Sequence, residues 1–170
     1  MNILLSIKPE WAALIYSGKK TIEFRTVTPR KYELCKDKIF IYEISPVRAV
    51  TGYIVVDSYM NVHKVLTAPY YTPERKKEII KGGCMTFDEL KNFVPGKKLY
   101  GWHIIKTFSF SHMDITRFSP TEKPPQSWCY TRADIADCGA MRNDHKATKK
   151  TYENQGKIFE YWAKGARNEK

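Results

Sequence analysis

The sequence predicts an α+β chain: a small, strongly bent β-barrel with short helices packed at its openings, followed by a helical C-terminal extension. Three observations carry this. Runs with strand character flank a helical insertion within the first 131 residues. A Pro-rich segment closes that part of the chain, and the composition changes from residue 132 onward. The chain has 170 residues, 42% of them hydrophobic and 28% charged, which fits about one globular domain and excludes a disordered chain.

The elements follow in order. Residues 2–7 read as a short buried strand. Pro9 suits the first turn of a helix, where its missing N–H costs nothing, and Glu10 complements the helix dipole there. Trp11, Leu14 and Ile15 fall on one helical face and Gly18 follows as a C-cap, giving a helix over 9–17. Residues 20–25 alternate polar and apolar, with Ile22 and Phe24 toward the core and Thr21, Glu23 and Arg25 on the other side. Further strands span 38–44, broken by Ser45 and Pro46, and 48–57, where Gly52 marks a bulge or sharp bend. Short helices are expected over 61–68 and 73–81, and Thr86 to Glu89 reads as a capping box that starts another. Residues 98–109 form a strand of mixed alternation, and 120–131 are extended. Over 148–164 a helix is expected with Phe159 and Trp162 on one side, weakened by Gly156.

The net charge of +11 points first toward nucleic acid, and aromatic residues at 14% strengthen that direction. The charge is distributed: residues 1–120 carry 19 basic against 11 acidic residues, and 121–170 carry 10 against 7. The basic character therefore belongs to the domain and not to a polybasic tail. No apolar run approaches the length of a membrane helix, and the N-terminal run is interrupted by Ser6 and ended by Lys8. A cytoplasmic protein is expected. Cys35, Cys84, Cys129 and Cys138 form no metal-ligand spacing, and His63, His103, His112 and His145 are equally scattered, so neither metal nor cofactor is expected.

The most informative stretch runs from Gly18 to Arg25. A glycine turn leads straight into a strand that carries Lys20, Glu23 and Arg25. Glu23 and Arg25 share a face by strand parity, while Lys20 joins them only if the strand starts irregularly at the turn. Two cations around one carboxylate can clamp a phosphate, pair with a base edge or transfer a proton. The same residues also fit an exposed strand edge with ordinary ion pairs.

Gly18, Lys20, Glu23 and Arg25 match the G-x-K-x-x-E-x-R motif, and on these residues the chain resembles the ASCH domains of the PUA-like superfamily. The resemblance extends to the Leu5 to Pro9 entry, Ile41-Tyr42-Glu43 with Ser45 and Pro46, the Gly52 to Val55 strand, Leu99 to Ile104, and Pro124 to Tyr130. It covers roughly residues 2–131, so that 1–131 is expected to be the ASCH domain and 132–170 an extension.

The resemblance implies a bent barrel with a cleft beside the first helix that binds RNA or a modified nucleotide. Gly18, Lys20, Glu23 and Arg25 would mark it, the cations meeting phosphate and Glu23 accepting from a base amino group. Tyr42, Tyr53 and Trp102 are candidates to stack on a base. Gln126 or Ser127 would reach a ligand from above, although the Pro-Pro segment also reads as a rigid closure that packs Trp128 on the barrel. As an enzyme the chain would use Lys20, Glu23 and Arg25, either as a ribonuclease or as an amidohydrolase of acetylated cytidine. In the latter relatives a Thr nucleophile stands where Glu23 stands here, and a carboxylate changes that mechanism. A third reading is a protein-interaction factor of mobile-element origin that uses its tail.

Overall fold

The computed structural model describes residues 1–93, 98–134 and 136. The helix expected over 148–164 lies outside them. The sheet has six strands, β1 (Ile3–Ile7), β2 (Ile22–Arg25), β3 (Ile39–Glu43), β4 (Ala49–Asn61), β5 (Tyr100–Met113) and β6 (Trp128–Tyr130). Their order is β2-β5-β4-β3-β1-β6, with β1 parallel to β3 and the other pairs antiparallel. The sheet curls into a half-barrel, and β2 and β6 are its two edges.

Curvature comes from irregular pairing. Register shifts occur on β4 at Val50/Gly52, Val55/Val56 and Val56/Ser58 against β5, and on β3 at Ile41/Tyr42. Such bulges bend a strand and raise its twist. Gly52 sits among them, as the sequence predicts. A Cβ there would collide with the Phe108 carbonyl and lie 2.7 Å from the Tyr16 hydroxyl, so only glycine admits this approach. β4 and β5 are longer than expected: β4 runs on to Asn61, which pairs with Tyr100, and β5 runs on to Met113, which pairs with Val50.

The helices are α1 (Pro9–Tyr16), α2 (Val62–Thr67), α3 (Pro73–Gly83) and α4 (Phe87–Asn92). α1 opens on Pro9 and Glu10, and the Gly18 amide caps it on the Ile15 carbonyl at 2.9 Å with Gly18 at φ 72. α3 starts at Thr72 and Pro73, and α4 carries the predicted capping box between Thr86 and Glu89. Ala12 and Ile15 of α1 join Ile3, Leu5, Ile7, Ile39, Ile41, Ile54, Trp102 and Ile104 in the barrel core. The insertion forms a second core: Val62, Val65, Leu66, Ile79 and Leu90 cover Ile22 and Phe24. A third cluster lies behind β1 and β3, where Phe118 covers Leu4, Phe40, Tyr42 and Val50. Among the described residues no helix is long and apolar enough to cross a membrane.

Candidate site at the seam of the half-barrel

β2 separates two environments. Ile22 and Phe24 point to the second core, which leaves Glu23 and Arg25 on the barrel side, as strand parity predicts. Arg25 then spans the open seam. Its Nη2 donates to the Ser6 carbonyl of β1 at 2.9 Å, and its Nη1 donates to the Ser127 hydroxyl beside β6 at 3.2 Å. One guanidinium thus ties one edge of the sheet to the strands at the other. Its Nη2 also pairs with Glu23 Oε1 at 2.9 Å.

Lys20 joins through the irregular start that parity requires. Its amide donates to the Leu14 carbonyl at 2.9 Å, so regular pairing begins only at Ile22. The side chain is 3% exposed, and Nζ lies 3.6 Å from Glu23 Oε2. Nζ also donates to the Gly83 carbonyl at 2.8 Å, at the negative end of the α3 dipole. The Trp11 and Phe24 rings lie 4.9 and 5.0 Å away. Burial holds this ammonium below the usual lysine range, and attraction to Glu23 offsets only part of that.

The predicted residues divide. Lys20, Glu23 and Arg25 form one connected cluster, and Ser127 bonds to it through its hydroxyl. Gly18 is exposed and shapes the turn. Gln126 is exposed beside Ser127. Two of the aromatic expectations, Trp102 and Tyr42, need correction. Trp102 stands opposite Glu23 in the register but is 0% exposed, which leaves no face for a base. Tyr42 is buried in the third cluster, on the opposite face of β3 from Ile41. Tyr53 shares that cluster and stacks on Phe108 at 4.6 Å.

The aromatics that do border the seam are Trp11, Tyr100 and Trp128. All three are half-buried against the barrel core. Trp11 faces Lys20, Tyr100 pairs with Arg25 across β2 and β5, and Trp128 follows Ser127. Trp128 also packs on the barrel, as expected, 6.3 Å from Trp102. Trp11 was legible as a helix-face residue, but no sequence signal set it against Lys20. Three buried donors here, Arg25 Nε, Trp102 Nε1 and the Tyr59 hydroxyl, have no partner among the described residues. No group of three His, Cys, Asp or Glu side chains able to hold a metal occurs among those residues.

A family model described as the ASCH domain matches residues 5–162. The chain belongs to the ASCH domain family. The match runs past residue 131, where the change in composition suggested a boundary. A curated relative from Zymomonas mobilis, an ASCH domain-containing ribonuclease, is 38% identical over 55 residues. That stretch covers 32% of this ASCH chain and 36% of the relative, so the likeness spans about a third of its length. Among solved structures, the Zymomonas mobilis ASCH protein superposes with a TM-score of 0.58 at 24% identity, covering 77% of this chain and 87% of that one. A tyrosine-to-phenylalanine variant of it gives 0.58 at 23%, covering 77% and 90%. These likenesses show the shared fold.

Proposed function

We propose that this ASCH chain binds RNA or a modified nucleotide at the seam marked by Lys20, Glu23 and Arg25. One observation carries the reading: two cations share one carboxylate where the two sheet edges meet, so the cluster keeps one positive charge in excess. Arg25 is the more accessible cation, with a side chain 16% exposed, and is the group to meet phosphate. Lys20 holds Glu23 and the end of α3 in place. Trp11, Tyr100 and Trp128 offer aromatic surface for a base. The domain's overall basic charge supplies long-range attraction.

RNA cleavage is a second reading, supported by the name of the Zymomonas relative and by the depressed pKa of Lys20. A lysine held below its usual range is a better base at neutral pH. Its neutral amine would take the proton of a ribose 2′-hydroxyl as that oxygen bonds to the adjacent phosphorus. The bond from phosphorus to the 5′-oxygen of the next nucleotide breaks, that oxygen leaves with a proton returned by the lysine ammonium, and a 2′,3′-cyclic phosphate remains, while Arg25 stabilises the charge on the phosphoryl oxygens. An amidohydrolase needs a nucleophile where Glu23 stands. The hydroxyls nearest the cluster are engaged: Ser6 donates to the Pro125 carbonyl at 2.7 Å, and Ser127 accepts from Arg25.

The test is a titration of labelled single-stranded RNA at several salt concentrations, with product analysis by mass spectrometry. Binding should weaken with salt at a log–log slope of roughly −0.7 per neutralised phosphate. Arg25→Ala should cost at least about tenfold in affinity, the scale of a lost charge-assisted hydrogen bond. An unchanged affinity in Arg25→Ala rejects the seam as the binding site. RNA that stays intact in the wild-type protein rejects cleavage and leaves binding standing, and deacetylation of acetylated cytidine would restore the amidohydrolase.

A further inference from the structure

We infer that the groove at the far end of β6 is a second phosphate subsite, so that the ligand is a strand of several linked nucleotides and not a free nucleotide. This rests on the RNA reading of the seam and adds its polymer character.

The groove encloses about 460 Å³ and is lined by Met1, Arg117, Phe118, Pro120, Tyr130 and Arg132, among others. Arg117 ends the 3-10 turn Ile115–Arg117, and Arg132 stands just beyond β6. Both are exposed. No carboxylate lies within ion-pair distance of either guanidinium among the described residues. Asp114, which caps the 3-10 turn, exerts only a weaker attraction on Arg117. The third cation on the wall, the Met1 ammonium, is already taken by Asp37 and by the Lys31 carbonyl. Phe118 and Ala133 give the groove an apolar floor. Two exposed arginines in the wall of a groove with an apolar floor suit a phosphate with a base or sugar beside it.

β6 connects this groove to the seam. Ser127 accepts from Arg25 at one end, and Arg132 lines the groove at the other. The segment between is held extended against β1: the Ser6 amide donates to the Ser127 carbonyl at 2.9 Å, and the Thr131 amide donates to the Asn2 carbonyl at 2.9 Å. Five residue steps at the rise of a strand make about 16 Å, a span that one nucleotide does not bridge. Trp128 and Tyr130, both half-buried, meet edge to face at 5.4 Å along β6, and Tyr130 also lines the groove. Cations at both ends with aromatic rings between them are the pattern of a single-strand track, where bases stack and phosphates meet charge.

Length and charge test this on the full chain. The probes are uridine 5′-monophosphate and oligouridylates of increasing length up to a hexamer. Affinity should climb over the first few nucleotides. The double variant Arg117→Ala/Arg132→Ala should bring the hexamer down about tenfold, toward the mononucleotide, and reduce the magnitude of its salt slope by roughly one. Arg117→Lys/Arg132→Lys keeps the charge and should keep the slope. Because both side chains are exposed, thermal melting should not move, which separates lost contact from lost fold. If the monophosphate and the hexamer bind equally, or the double alanine variant binds the hexamer like wild type, the subsite is wrong and the seam reading stands. If no probe binds at all, the seam reading falls with it. Competition by polyglutamate as strong as that by the hexamer overturns the proposal in favour of an acidic protein partner.

Discussion

Two groups of buried ionisable side chains lie on opposite faces where β2 meets β5, and they are built on different principles. On the barrel side, Glu23 stands across from Trp102 and shares its carboxylate between Lys20 and Arg25. On the other face, His103 stands across from Ile22 and bonds through Nδ1 to Asp57 Oδ1 at 2.8 Å, both side chains 6% exposed. Asp57 Oδ1 accepts from Ser58 as well, at 2.9 Å. In the Asp57–His103 pair a carboxylate meets an imidazole ring on the face that carries Ile22. The Lys20–Glu23–Arg25 cluster is unbalanced, and it sits where the sheet is open. Burial of ionisable groups is common to both, so burial does not mark a site here. Charge imbalance at an opening is what sets the proposed site apart.

The largest effect that should separate the two comes from Lys20→Met. Methionine fills the space but leaves the Gly83 carbonyl without its donor and Glu23 with one cation. Breaking a buried pair costs about 3 kcal/mol, and the low end applies because Arg25 still neutralises Glu23. Denaturant unfolding should show that loss. The loss should come with loosening at the C-terminus of α3, seen as faster amide exchange at Cys84 and Met85, whose amides bond to α3 carbonyls. A variant as stable as wild type would mean that Lys20 is a free ligand-binding cation and not a strut.

On the other face, Asp57→Ala should cost about 2 kcal/mol, the scale of leaving a buried hydrogen-bonding group unpaired. RNA affinity, measured where the variant is fully folded, should stay within about twofold of wild type. A folded Asp57→Ala protein that no longer binds RNA would erase the contrast and bring Asp57 and His103 into the functional site.

The sequence disclosed the two faces unequally, for physical reasons. Glu23 and Arg25 were readable because strand parity and a glycine turn are local, and Lys20 was readable down to the irregular start it needs. The α4 capping box and the Gly52 bend were likewise visible from near neighbours. Asp57 and His103 are 46 residues apart, and nothing local joins them. Two stacking candidates, Tyr42 and Trp102, proved buried for the same reason. Tyr42 alternates correctly with Ile41, but its face is covered by Phe118, far along the chain. Nor is the clasp legible: a long-range fold brings Arg25 to Ser6 and Ser127, and no pattern within the motif announces those partners.

The smallest effect concerns pH, and it sharpens the strut reading of Lys20. Its pKa in the folded chain lies below the ordinary 10.5 because burial disfavours the ammonium. Between those two values the unfolded chain holds a proton that the folded chain has released. Stability from this group therefore rises with pH across that alkaline window, by at most about 1.4 kcal/mol per pH unit. Tyr16, Tyr32 and Tyr59 act oppositely, since burial raises each above the usual 10.0, and their contribution is lost as pH climbs past that value. Comparing wild type with Lys20→Met at each pH removes the shared tyrosine contribution. The wild-type advantage should widen from pH 7 toward about 10. If it narrows instead, Glu23 holds the Lys20 proton more strongly than burial expels it. Lys20 would then be a permanent cation at the seam, unable to serve as a base, and RNA cleavage through it would be excluded while binding remained.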